Sequence, residues 1–380
     1  MRSRQIATIF VSLILLWQLA GCQTGAEKVQ VPLLTPTPEK DTGFSWNGIS
    51  SANLESMKEL QVLPGENEGL IADLVFSENA SVIWAAHPIS GIVEQWNLNN
   101  SKLIKHIEVP PGSAIATQLS PNGELLAMAS GNTKPAIDAG LSKDFPGVGV
   151  WSLENGDLVW EWGYSREEAD SLGRAREVAW SEDNLFLAIE VEYAIYHIRV
   201  DDWSLYMTDG INIEDENGYP IQLAAVAFDA SGTWIFYGSE QGMVYGHSVL
   251  GHGYHVVGSL GDDYVLRIDS SPTNRYVAAA GVHTLKVWDV TKIGSWFTDG
   301  VVLQSSHDDT PAADLAFSPD GKLLAVGMQD MWQIWSVEQG KLLVEHPQGS
   351  YALTFSPDGR LFVWGDLDGN VHILGGSDEK

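Results

Sequence analysis

The sequence predicts an all-β protein in which seven small sheets follow one another along the chain and close into a ring. Three observations predict it. A short turn of the Ser-Pro-Asp-Gly kind, set between two apolar strands, recurs seven times. Its copies are spaced by roughly 40 to 60 residues, close to the length of one propeller blade. The seventh copy supplies one strand fewer than its neighbours, while an unassigned strand-like segment stands ahead of the first. A blade cannot bury its own faces, so seven of them stack and close. The expected fold is a seven-bladed β-propeller with an N-terminal strand completing the last blade.

The turns are Ser77-Glu78-Asn79-Ala80, Ser120-Pro121-Asn122-Gly123, Ser181-Glu182-Asp183-Asn184 and Asp229-Ala230-Ser231-Gly232, followed by Ser271-Pro272-Thr273-Asn274, Ser318-Pro319-Asp320-Gly321 and Ser356-Pro357-Asp358-Gly359. A tight hairpin needs a residue at positive φ, which Gly and Asn tolerate. Gly123, Gly232, Gly321, Gly359, Asn184 and Asn274 fill that slot. Ala80 does not suit it. Either the first turn differs in geometry, or it carries a cost of about 1 kcal/mol.

The seventh repeat offers strands at Ala352 to Phe355, Leu361 to Trp364 and Val371 to Leu374. The segment 57–63 is the candidate for its missing outer strand, and such a closure removes an open seam. The expected organisation is a leader over 1–21, a Thr/Pro-containing tether over 22–48, and the propeller over 49–380, with blades from about 69 to 375.

Composition narrows the function. Hydrophobic residues at 44% suffice for a large core, so the chain is not a disordered one. With 21 basic and 50 acidic residues the formal charge is −29, which repels phosphate backbones and anionic headgroups. Nucleic-acid binding is therefore rejected. The one cysteine, Cys22, excludes a disulfide within the chain.

Arg2 and Arg4 precede an apolar run from Ile6 to Leu16, too short to span a bilayer and laid out like a signal peptide. Leu19-Ala20-Gly21-Cys22 follows and resembles the lipobox of bacterial lipoproteins. That resemblance implies cleavage before Cys22 and a lipid on its thiol. Gln23 after the cysteine favours the outer membrane of a two-membrane bacterium; with one membrane the protein would stand on the cell surface. Thr35-Pro36-Thr37-Pro38 favours extended backbone in the tether.

Ala316-Phe317-Ser318-Pro319-Asp320-Gly321-Lys322-Leu323-Leu324-Ala325 with Gln333-Ile334-Trp335-Ser336, and Lys286-Val287-Trp288-Asp289, resemble the WD40-repeat β-propeller family. The third-strand Trp slot holds Trp96, Trp151, Trp288 and Trp335, but Ile198, His247 and Leu374 in the other blades. The resemblance implies a His–Ser–Asp–Trp hydrogen-bond network in some blades, with His307 and His346 suitably placed. It likewise puts Asp330 and Asp368 at the turn between second and third strands. It covers about residues 57–375 and speaks to fold far more than to function.

Motifs for chemistry are scarce. There is no Gly-x-Ser-x-Gly elbow, and Gly321-Lys322 lacks the upstream glycine of a phosphate loop. His247, His252 and His255 could ligate a transition metal, and Glu214-Asp215-Glu216-Asn217 could offer oxygens to calcium. A polar hairpin and a solvated acidic loop are the plainer readings, so neither a metal nor a cofactor is expected. Trp160, Trp162 and Tyr164 end the second blade beside a long excursion from Gly131 to Gly147. Exposed aromatics on a rim insertion suit a protein partner, and these residues are the expected binding face.

The expected function is a monomeric, non-enzymatic, lipid-anchored scaffold outside the cytoplasm that binds proteins and no nucleic acid. A cell-surface carbohydrate-binding or carbohydrate-active propeller is the alternative. A further one is an envelope-assembly lipoprotein, echoed only by Asp368-Gly369-Asn370-Val371-His372.

Overall fold

Each repeated turn is held by its own first side chain. Ser318 Oγ donates to Asp320 at 2.7 Å and accepts the Leu323 N–H at 3.0 Å, joining the ends of the hairpin. Ser77, Ser120, Ser181, Ser271 and Ser356 accept the N–H of the fifth residue onward in the same way. In the fourth blade the Asp229 carboxylate replaces the hydroxyl and accepts from Thr233 and Trp234, both at 2.8 Å. Ala80 keeps the common geometry, with φ at 53° beside 60° for Asn184 and 68° for Gly321. The first turn is therefore regular, and its alanine is strained.

In this computed structural model residues 48–376 are described, apart from 52, 55–56, 66–68, 110–113, 131–146, 164–174, 210–213, 215–220, 250–253, 293–300 and 304–309. A strand β1 (Lys58–Leu63) precedes the first blade, which comprises β2 (Asp73–Phe76), β3 (Val82–His87), β4 (Ile92–Asn97) and β5 (Lys102–Glu108). The second blade is β6 (Ala114–Leu119), β7 (Leu125–Ser130), β8 (Gly147–Ser152) and β9 (Leu158–Gly163). The third is β10 (Ala175–Trp180), β11 (Phe186–Val191), β12 (Ala194–Arg199) and β13 (Leu205–Asp209). Next come β14 (Leu223–Phe228), β15 (Trp234–Ser239), β16 (Met243–Ser248) and β17 (Tyr254–Ser259). The fifth blade is β18 (Arg267–Ser270), β19 (Tyr276–Ala280), β20 (Leu285–Asp289) and β21 (Val301–Leu303). The sixth is β22 (Ala312–Phe317), β23 (Leu323–Met328), β24 (Trp332–Ser336) and β25 (Lys341–His346). The last holds β26 (Leu353–Phe355), β27 (Leu361–Gly365) and β28 (Val371–Gly375), with β1 as its outer strand.

All seven sheets are antiparallel and four-stranded, and the innermost strands touch in succession around the ring, β26 returning to β2. The core lies between blades rather than within them. Trp84, Val93 and Ile107 of the first blade pack on Leu126, Met128 and Trp151 of the second. Between fourth and fifth blades, Trp288 lies over Gly258, where a Cβ would come within 2.1 Å of the indole nitrogen. Glycine is required there by close approach, not by a turn.

Closure is clasped by a histidine. β1 pairs antiparallel with β28, Val62 opposite His372 and Leu63 opposite Val371. His372 Nδ1 meets Glu59 of β1 at 2.6 Å, and its Nε2 meets Asp366 at 3.1 Å. The ring stacks on Trp364 with centroids 4.1 Å apart. Two carboxylates on two ring nitrogens favour the imidazolium. Burial opposes that charge, but the hydrogen bonds to Asp366 and Glu59 outweigh it and raise the His372 pKa. Burial likewise acts against the Asp366 anion, yet bonds from His372 and Asn370 hold its pKa at about 2.

Candidate interaction surfaces

A bulge at Val159 interrupts β9, and beyond it the side chains alternate across the sheet from Trp160 to Trp162. Trp160 and Trp162 turn toward the third blade and pack, half-buried, on the cluster of Ala175, Val178 and Ile189. Trp160 stacks on Trp203 at 5.2 Å and 15°, and Trp162 leans on Tyr196 at 4.6 Å. Trp203 sits in the turn between β12 and β13 with φ at 56°. The two tryptophans seal an interface between blades and keep part of their surface at the rim. Tyr164 and residues 131–146 of the expected binding face lie outside the described residues, as does Cys22.

Around this pair the outer edges are apolar. Leu158 and Val159 of β9 are 45% and 44% exposed, and Leu205 of β13 is 56% exposed. Tyr206 lies against Phe186, with the Arg199 guanidinium 5.5 Å from its ring centre. On β17 Tyr254 and Val256 are exposed as well.

A second cluster lies along the innermost strands. Asp73 accepts the Leu74 N–H at 2.8 Å and that of Leu119, in the next blade, at 2.6 Å. Asp314 accepts the N–H groups of Leu315 and Leu353, both at 2.8 Å, and Asp269 those of Ser270 at 2.8 Å and Phe317 at 3.2 Å. Gln118 Oε1 accepts from Trp180 at 2.8 Å, so a neutral side chain serves the second blade. The three Asp carboxyls keep some accessible surface, yet inner strands surround them. Desolvation raises Asp73 and Asp269 to about 7 despite the backbone donors, and lifts Asp314 well above its usual value. Glu190 is buried beside Arg176 and Glu177, and among the described residues neither of its oxygens has a hydrogen-bond partner; burial pushes its pKa well up. Arg176 in turn bridges Glu240 at 2.7 Å and Glu192 at 3.5 Å.

The remaining candidates disperse. His247 is buried in the third-strand slot, His255 is exposed beside Trp234, and His252 lies outside the described residues. Of the acidic loop only Glu214 is described. Among the described residues no three His, Cys, Asp or Glu side chains group closely enough to hold a metal ion.

At two tryptophans the hydrogen-bond network implied by the resemblance is replaced. Trp96 donates to Glu94 at 3.0 Å and Trp335 to Gln333 at 3.1 Å, each acceptor two residues earlier on the same strand. His346 instead stacks on Trp332 at 4.8 Å and 7°, and His307 lies outside the described residues. In the last blade Asp366, not Asp368, binds the turn, accepting from the N–H groups of Asp368 and Asn370.

Residues 300–336, spanning β21 to β24, match the family model described as WD domain, G-beta repeat. That repeat and the seven-bladed ring together support the WD40 β-propeller family. No curated protein matches the chain.

No sequence pattern marks the carboxyls of the innermost strands. Asp73 and Asp314 stand four residues before the turn serine but Asp269 only two, and one acid in so acidic a chain gives no signal. The Trp160–Trp203 stack joins residues far apart in sequence, which no local pattern encodes.

Proposed function

We propose that the protein is a non-enzymatic scaffold that binds other proteins through the outer rim of its blades. The observation that carries this reading is the WD-type repeat within a closed seven-bladed ring, an architecture consistent with protein interaction. The aromatic and aliphatic rim of the second and third blades supports it, because such side chains anchor protein interfaces. We place the scaffold outside the cytoplasm, held by a lipid on Cys22, on the strength of Leu19-Ala20-Gly21-Cys22. Metabolic labelling with palmitate tests the anchor: the label enters the wild-type protein and is absent from Cys22→Ala, which leaves the membrane fraction. Unlabelled wild-type protein contradicts it. For the scaffold, cross-linked complexes purified from solubilised envelope should contain stoichiometric protein partners. A protein recovered alone, that turns over a glycoside, ester or phosphate, contradicts the reading.

A further inference from the structure

Among the described residues every blade ends in a strand with one unpaired edge, and natural proteins guard such edges with charge, lysine above all. The ring does so on one side only. Lys58 on β1, Lys102 and Lys105 on β5, and Lys341 on β25 guard the seventh, first and sixth blades. The outer strands of the second to fifth blades, β9, β13, β17 and the three-residue β21, contain no lysine or arginine. Of these, β9, β13 and β17 expose Leu158, Val159, Leu205, Tyr206, Tyr254 and Val256. An arc of four neighbouring blades thus lacks the lysines of the other three, and three of its outer strands present apolar side chains.

Within that arc β9 is distinguished by charge. Its exposed Glu161 and the turn residues Glu154 and Asp157 are acidic, with no basic residue in the strand or the turn before it. Lys105 of the neighbouring blade reaches the Leu153 carbonyl at 3.5 Å. By contrast, β13 has Arg199 over Tyr206, and β17 carries neither an acid nor a base apart from His255.

We propose that β9 receives an extended segment of a partner protein as a fifth strand, and that this segment alternates apolar and basic residues. The alternation follows from β9 itself. On a sheet, neighbouring strands place side chains of the same face side by side. Residues added beside Trp160 and Trp162 extend an aromatic face; those added on the other face meet the Glu161 carboxylate and the bulged Leu158–Val159 pair. Strand addition supplies main-chain hydrogen bonds for affinity, and the alternating side chains supply selectivity. The net charge of −29 draws a basic segment to the ring, and Glu161 fixes where it settles. This inference rests on the scaffold reading and names the partner's chemistry.

The test uses the mature protein and a fluorescein-labelled peptide of alternating Lys and Val, about eight residues long. Its block isomer, with all lysines before all valines, has the same charge. Fluorescence anisotropy should show the alternating peptide binding about tenfold tighter than the block isomer. Val159→Lys and Glu161→Lys, which place the missing guard on β9, should weaken it about tenfold. Ile104→Lys on the already guarded β5 should leave binding unchanged, and circular dichroism should show all three variants folded. Equal binding of the two isomers, or indifference to Val159→Lys and Glu161→Lys in folded protein, overturns the proposal. A scaffold that engages partners elsewhere on the ring would still yield cross-linked complexes from the envelope, so the two readings fail separately.

Discussion

Ala80 shows how far the repeated turn constrains its residues. Its N–H still reaches the Ser77 carbonyl at 2.8 Å, so the turn holds a left-handed alanine in place of glycine or asparagine. Ala80→Gly should therefore stabilise the domain by about 0.5 to 1 kcal/mol, measured by chemical denaturation. An unchanged or lowered midpoint contradicts this. Ser318→Ala has the opposite sign. It strips the buried hydroxyl that pairs with Asp320 and Leu323, a loss of about 1 to 2 kcal/mol. These residues were legible because the chemistry is local: serine, then a positive-φ residue three positions later. Glu94 and Gln333 were not, because an acceptor two residues before a tryptophan matches any polar residue on a strand.

Among the elements, β1 carries the largest consequence for its length. Its position could be found by counting, since the seventh repeat lacked an outer strand and Lys58–Leu63 was unassigned. What holds it was not countable, because Glu59 and His372 lie at opposite ends of the sequence. Deleting residues 57–63 exposes the edge of β28 and should destabilise all seven blades together; an unchanged melting temperature refutes this. The clasp also has a defined pH dependence. The His372 pKa is raised in the folded protein, so its stabilisation is full below the ordinary histidine value of 6.5 and fades as pH rises through the folded value. Glu59→Gln should cost about 0.5 kcal/mol at pH 6, a small figure because Glu59 is half-exposed, and nothing near pH 9. Equal losses at both pH values contradict the clasp.

For the whole molecule, the axis adds a second pH dependence of the same sign. Asp73 and Asp269, raised to about 7, and Asp314 and Glu190, raised well above their usual values by burial, cost stability when they ionise. Their contribution is full below the ordinary carboxylate range near 4 and is lost as pH climbs through about 7. Asp366, held at about 2, acts in reverse and withdraws its stabilisation only as pH falls below 4. The melting temperature should peak near pH 4 and decline toward pH 8; a flat or rising profile over that interval contradicts the assignment of these carboxyls. All of these effects presuppose a ring closed between β1 and β28. Amide hydrogen exchange measures that closure directly. The β1 amides that bond to β28 should exchange only through global unfolding, as slowly as those between β27 and β28. Fast exchange throughout β1, with β27 and β28 still protected, would mean that the seventh blade stands open.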